Sequence, residues 1–208
     1  MSDRVDLPIF PLRTILFPGS KLPLRIFEPR YIDMVSRCMR EDTEFGIILS
    51  RESTDPKMFE TYDTGTLAKI IDWDQGEDGL LGITTKGTEK FRLVELNKQE
   101  DGLNIGTIER IEREEDFKPI EHFNHLVVLL QAILDDVNIY SDDEKNFDSA
   151  SWISYRFAEI LPLKIEDKQN CLEIDDPIIR LNFLEPLIKM IRESSLSLIH
   201  ISEPTRPY

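Results

Sequence analysis

The apolar periodicity of this 208-residue chain changes once, near Phe117, and that switch limits what it can fold into. From Leu7 to about Glu115 the pattern is of short strands separated by turn signals. The runs Glu44–Ser50, Gly65–Trp73, Leu80–Lys86, Glu89–Leu96 and Leu103–Ile111 are five to nine residues long and rich in β-branched or large apolar side chains. "DQGEDG" before Leu80 and "QEDG" before Leu103 supply the Gly and Asp that hairpin connections need. One helix interrupts the strands. Pro29 suits its first position, and Ile32, Val35 and Met39 give one apolar stripe that ends near Glu41. The first half therefore has one helix to cover the open end of a curled sheet.

After Phe117 the period is helical. Phe123, Leu126, Val127, Leu130, Ile133, Leu134 and Val137 form one stripe. Shorter helices are expected from Trp152 to Leu161 and from Ile165 to Leu172. A last helix has Asp176 as N-cap and Pro177 at its first position, with Leu181, Leu184, Leu187, Ile188 and Ile191 facing inward. Pro186 predicts a kink or break near Glu185. The expected organisation is a β-rich domain over residues 1–116, a helical subdomain over 117–194, and a tail over 195–208. That tail, "SLSLIHISEPTRPY", loses the acidic character of the chain and looks like translated adapter or linker sequence.

Charge and composition exclude several functions. With 25 basic and 40 acidic residues the net charge is −15, and residues 1–116 carry 16 basic against 24 acidic side chains. No Lys/Arg cluster is visible along the chain, so neither a nucleic-acid partner nor an anionic membrane surface is expected. The apolar runs are far shorter than the ~20 residues of a bilayer crossing, and no leader pattern opens the chain, which points to the cytoplasm. Cys38 and Cys171 lie far apart, with no C-x-x-C pair, and read as small buried apolar residues.

Chemistry-bearing motifs are sparse. His122 and His125, at i and i+3, are candidates to share a metal, but Glu121 is their only neighbouring carboxylate in sequence, and a solvated helix face is the better reading. "GITTKGT" has the glycine spacing of a phosphate loop, with Thr88 where the lysine must stand. No G-x-S-x-G elbow occurs, and "REED", Arg113 to Asp116, reads as a solvated segment. No catalytic residue, metal or cofactor is expected.

The order Leu7-Pro8, Phe10-Pro11-Leu12, Leu16-Phe17-Pro18-Gly19 and Leu22-Pro23-Leu24, followed by a helix, resembles the N-terminal substrate-binding domain of Lon ATP-dependent proteases, a domain also found in cereblon-type ubiquitin-ligase receptors. "GTLAKI" (Gly65 to Ile70) is similar to the family's G-T-x-A-x-I strand, and "GTEKFRLVE" (Gly87 to Glu95) to its G-x-x-R-F-R-I element, with Lys90 in place of the arginine. "LPLKIEDKQNCLEIDDPIIRL" resembles the helical tail of small stand-alone bacterial members. The resemblance implies an α+β fold, a PUA-like β-rich pseudo-barrel with one helix followed by a C-terminal helical bundle. It also implies a module that binds unfolded or extended protein segments, an adaptor in protein quality control, and a non-enzymatic one, because neither the ATPase nor the Ser/Lys protease motifs occur here. The site residues it points to are Phe17, Pro18, Arg25, Phe27, Glu28, Arg30 and Tyr31. Two alternatives stay open: RNA binding by the PUA-like fold, and a small-molecule sensor or enzyme using Arg25, Glu28 and Tyr31. On this reading, deletion of residues 195–208 leaves the melting temperature unchanged in a thermal scan.

Overall fold

The computed structural model describes residues 4–51, 60–76, 78–137, 140–141 and 144–201, with side chains of the last helix described as far as Glu193. The chain forms two compact units: Met1–Arg113 with Lys168–Glu173, and Glu114–Asp167 with Ile174–Tyr208. The sequence alone placed 168–173 with the helices.

The first unit contains strands β1 (Arg4–Leu12), β2 (Lys21–Ile26), β3 (Phe45–Arg51), β4 (Glu60–Gln75), β5 (Leu81–Lys98) and β6 (Asn104–Arg110), with helix α1 (Pro29–Glu41) between β2 and β3. The sheet order is β2-β5-β4-β3-β1-β6, and β6 pairs back onto β5, so five strands close into a ring and β2 lies outside it. Closure rests on the length of β5. Its Leu81–Lys86 half pairs with β2 and its Phe91–Lys98 half with β6. Register shifts in β4 at 66/68 and 70/72 and in β5 at 93/95 supply the local bends that a small closed sheet requires.

Sequence divides β5 into two strands at "KGT", whereas the structure runs one strand through Gly87. The runs read as strands also omit β1 and β2, which contain Pro8, Pro11 and Pro23. Each of these prolines lies where its strand has one partner: Pro8 opposite β6, Pro11 opposite β3, Pro23 opposite β5. Proline cannot donate to a ladder, but a one-sided strand segment need not.

Helix α1 begins at Pro29 and ends at Asp42, which adopts a left-handed conformation (φ 52°) with its N–H on the Cys38 carbonyl. Its buried stripe is Tyr31, Met34, Val35 and Cys38, one position away from the expected Ile32–Val35–Met39; Ile32 and Met39 are exposed. The i, i+3, i+4, i+7 set places the aromatic Tyr31 and the small Cys38 on the core. There they join Leu16, Ile26, Phe45, Ile47, Ala68 and Ile83. A second cluster, Leu7, Ile9, Ile48, Leu67, Phe91 and Ile108, comes from strands alone.

The Phe17–Ser20 segment is a β-turn, with Ser20 N–H on the Phe17 carbonyl (3.0 Å), Pro18 next and Gly19 at φ 78°. It docks on β5 through two bonds, Gly19 N–H to Gly87 O and Gly87 N–H to Ser20 O, both 2.9 Å. A Cβ at position 87 would strike the Phe17 carbonyl. The glycines of "GITTKGT" are thus a contact for this turn and a notch at Gly82, both inside one strand. The C-terminal part of α4 (Ile165–Glu173) belongs to the same unit: Gln169 Nε2 donates to Thr64 O (3.1 Å) and Lys90 Nζ to Leu172 O (3.2 Å). Lys90, where relatives of the motif have arginine, is therefore buried and bonded.

The second unit contains a 3₁₀ turn (Glu121–Phe123), α2 (Asn124–Val137), α3 (Ala150–Ile160), the start of α4, and α5 (Pro177–Ile201). On α2 the buried positions are Leu126, Leu130 and Leu134, following Phe123, whereas Val137 is half exposed. Ser149 Oγ caps α3 by accepting from Trp152 N–H (2.8 Å), and Asp176 caps α5 by accepting from Ile178 and Ile179 N–H. Of the kink or break expected near Glu185, the break does not occur. The helix continues through Pro186, with buried Leu181 and Leu184 before and Ile188 after the proline holding both turns.

"REED" is not solvated throughout. Glu114 is the counter-ion of Arg180, whose side chain is 0% exposed and whose guanidinium also donates to Ser154 Oγ (2.9 Å), Tyr155 Oη (2.9 Å) and the Ile174 carbonyl. Burial pushes the Tyr155 hydroxyl far above the ordinary tyrosine range, with the Arg180 charge opposing it. Two losses of stability follow, both measurable by urea unfolding. Arg180→Met strands the Glu114 carboxylate and costs about 3–5 kcal/mol. Gly87→Ala forces the turn off β5 and costs about 1–3 kcal/mol.

Candidate functional site

The corner made by β2, the β2–α1 connection and the start of α1 holds most of the residues the sequence singled out. Leu22, Leu24 and Ile26 of β2 alternate inward, which leaves Lys21, Pro23 and Arg25 outward. Arg25 Nη2 reaches Asp78 Oδ1 in the β4–β5 hairpin at 2.5 Å, and both side chains are half exposed or more. An exposed ion pair of this kind adds about 0–1 kcal/mol. Its value is positional. Arg25, Asp74 and Asp78 flank an open groove of about 690 Å3 floored by Gly82 and Thr84.

Phe27 follows β2 and is 67% exposed, a large apolar side chain on a connection anchored at both ends. Glu28 is the N-cap of α1 without a side-chain capping bond; its backbone carbonyl accepts from Tyr31 and Ile32 N–H. Its carboxylate instead meets Arg30 Nη2 at 2.6 Å. Arg30 in turn donates to the Gly102 carbonyl (2.6 Å) and lies 4.8 Å from the Tyr31 ring centroid, which ties the helix start to the β5–β6 turn. Tyr31 is buried and stacks on Phe10 with ring centroids 4.1 Å apart. Burial raises its hydroxyl pKa, the Arg30 charge acting the other way.

The seven candidates thus separate by position. Phe17, 1% exposed, and Tyr31 are core, so neither presents a face to a ligand; Pro18 shapes the turn, and Arg30 braces the helix start. Arg25, Phe27 and Glu28 form the accessible rim. Sequence reasoning missed Ile71 and Trp73, 46% and 58% exposed near the tip of the β4–β5 hairpin. Their exposure follows from the register shift at 70/72 and the overhang of the hairpin, neither of which is visible in a β-rich run.

His122 and His125 both face Glu185 of α5, with Nε2–carboxylate distances of 3.4 and 2.9 Å. The carboxylate missing from the local sequence comes from 60 residues away in the chain, roughly, through helix packing. Among the described residues no group of three or more His, Cys, Asp or Glu side chains is arranged to hold a metal ion. No helix among them is long and apolar enough to cross a membrane.

Comparison with known proteins places this geometry. A solved structure described as a Lon N-terminal domain protein from Xanthomonas campestris is 32% identical and superposes with a TM-score of 0.75, covering 88% of this chain and 98% of that one. Lon protease 1 of Hydrogenovibrio crunogenus is 28% identical over 173 residues, 77% of this chain and 20% of that protein. Lon protease of Escherichia coli K12 is 25% identical over 216 residues, 99% of this chain and 27% of that protein. The chain spans about a quarter of the length of these curated relatives. The matched part is the Lon N-terminal fold, a mixed β-sheet with several helices. The family model for the ATP-dependent protease La (LON) substrate-binding domain matches residues 6–190, and the chain belongs to that family.

Proposed function

We propose that this substrate-recognition domain captures unfolded or extended protein segments along the β2–α1 corner, acting by binding alone, as an adaptor in protein quality control. In this reading the closed strand ring is the PUA-like pseudo-barrel, the helices of residues 117–194 outside Lys168–Glu173 form the helical bundle, and Arg25, Phe27, Glu28 and Arg30 make the contacts that Phe17, Pro18 and Tyr31 position. The exposure of Phe27 carries the reading. A phenyl ring held on a braced connection offers apolar area at roughly 25 cal/mol per Å2 buried, with little further ordering of the protein.

β2 adds a second element. Among the described residues it pairs with β5 alone, which leaves its outer edge for an extended segment to extend the sheet. Pro23 removes one donor from that edge, which limits the added ladder to short stretches on either side. Affinity is therefore expected to come from the ring and its neighbours more than from backbone bonds.

Binding of a denatured client or an apolar peptide array, read by fluorescence anisotropy, tests the proposal. Phe27→Ala is expected to weaken binding about tenfold, from about 1.4 kcal/mol of lost burial, with the melting temperature unchanged. Arg25→Glu weakens it less. Absence of binding across a broad peptide library, or an unchanged affinity for Phe27→Ala, refutes the assignment.

A further inference from the structure

The strand register assembles something the linear sequence disperses. Lys21 of β2 is opposite Lys86 of β5, and Lys86 is opposite Lys69 of β4, so three lysines form one row across three adjacent strands. All three are exposed on the outward face, where the neighbouring rows are Pro23–Thr84–Asp72 and Arg25–Gly82–Asp74. Like charges directly opposite each other destabilise a sheet. In a chain with 40 acidic and 25 basic residues, a row of three cations is the reverse of the average surface.

Protection of the sheet edge explains part of the row only. Lysine and proline on an edge strand discourage pairing with other chains, which accounts for Lys21 and Pro23. Lys86 has β2 on one side and β4 on the other, so it guards no edge. Lys69 is 3.1 Å from Asp42, an exposed pair of the weak and readily exchanged kind. Lys21 and Lys69 thus each have a partner of their own, and among the described residues Lys86 stands between them without an ion pair.

We infer that this row docks a short acidic stretch of a bound protein segment. The inference rests on the segment-binding reading above and specifies the chemistry of its substrate. Strands about 4.8 Å apart place the outer lysine stems about 10 Å from each other. Alternate side chains of an extended segment are about 6.7 Å apart, so two carboxylates at i and i+2 fit within the row. The basic field is one row wide and gives way to Asp72 and Asp74, which suits a few carboxylates and repels a long polyanion such as nucleic acid.

The experiment compares two peptides on the intact chain: an extended segment with alternating glutamates, and the same segment with glutamine in their place. The expected result is at least tenfold tighter binding of the acidic peptide, weakening steeply with added salt. Lys21→Ala/Lys69→Ala/Lys86→Ala removes that preference and leaves the glutamine peptide unaffected, whereas Phe27→Ala weakens both. Lys86→Glu serves as the second variant. It relieves like-charge repulsion, so it is expected to melt no lower than the parent chain while losing the acidic preference. Equal affinity for the two peptides, or a preference that survives in Lys86→Glu, overturns the inference; so does tighter binding of a short RNA with the same lysine dependence. Loss of the glutamine peptide alone, with the acidic one still bound through the lysines, overturns the Phe27 reading and leaves the row assigned.

Discussion

Two hydrogen bonds between the Phe17–Ser20 turn and Gly87 determine where β2 begins, and β2 determines what the corner displays. Because Gly87 N–H and C=O are both engaged by the turn, the ladder from Lys21↔Lys86 to Ile26↔Leu81 can start in one register only. A slip of one residue would turn Leu22, Leu24 and Ile26 outward and bring Lys21, Pro23 and Arg25 toward the core. The turn chemistry of Pro18 and Gly19, and the missing side chain at position 87, thus act together on the exposure of Phe27, the reach of Arg25 to Asp78 and the alignment of the lysine row.

The helical unit solves a different problem. Its buried side chains include two arginines, and both are provided for: Arg180 by Glu114, Ser154, Tyr155 and a backbone carbonyl, Arg156 by Glu159 and Tyr140. Replacing such networks with apolar residues is often neutral for stability, whereas removing one partner is not. Glu114 stands four residues after the end of β6 and is the first residue of the helical unit, to which its ion pair with Arg180 belongs.

Local signals carried much of this in the sequence. Gly79 and Gly102 mark the β4–β5 and β5–β6 hairpins with positive φ, Pro29 starts α1, Asp176 caps α5, and the "LFPG" and "GT" motifs carry the family resemblance. What was illegible depends on partners distant in the chain. A proline in β1 or β2 looks like a breaker until the strand is known to have one neighbour. The α1 stripe was misplaced by one position because Tyr31 and Cys38 are ambiguous side chains that burial decides. Glu114, the Glu185 contact with both histidines, and the lysine row are each set by register or helix packing. Of the proposed site, "RIFEPRY" stands out in the sequence; the acidic hairpin with the exposed Trp73 does not.

The single-sided attachment of β2 has a consequence for how the domain breathes. Ring strands are held on two sides over much of their length, but β2 is held by β5 and by one turn, so it belongs at the low end of the local opening hierarchy. Its departure would not unzip the ring. It would uncover Leu81–Lys86 of β5, a stretch with no proline and with both hairpin and turn leading into it. The resting edge of this sheet is blunted by Pro23, and the edge beneath it is a full template, so the two states differ in how long a backbone they can pair.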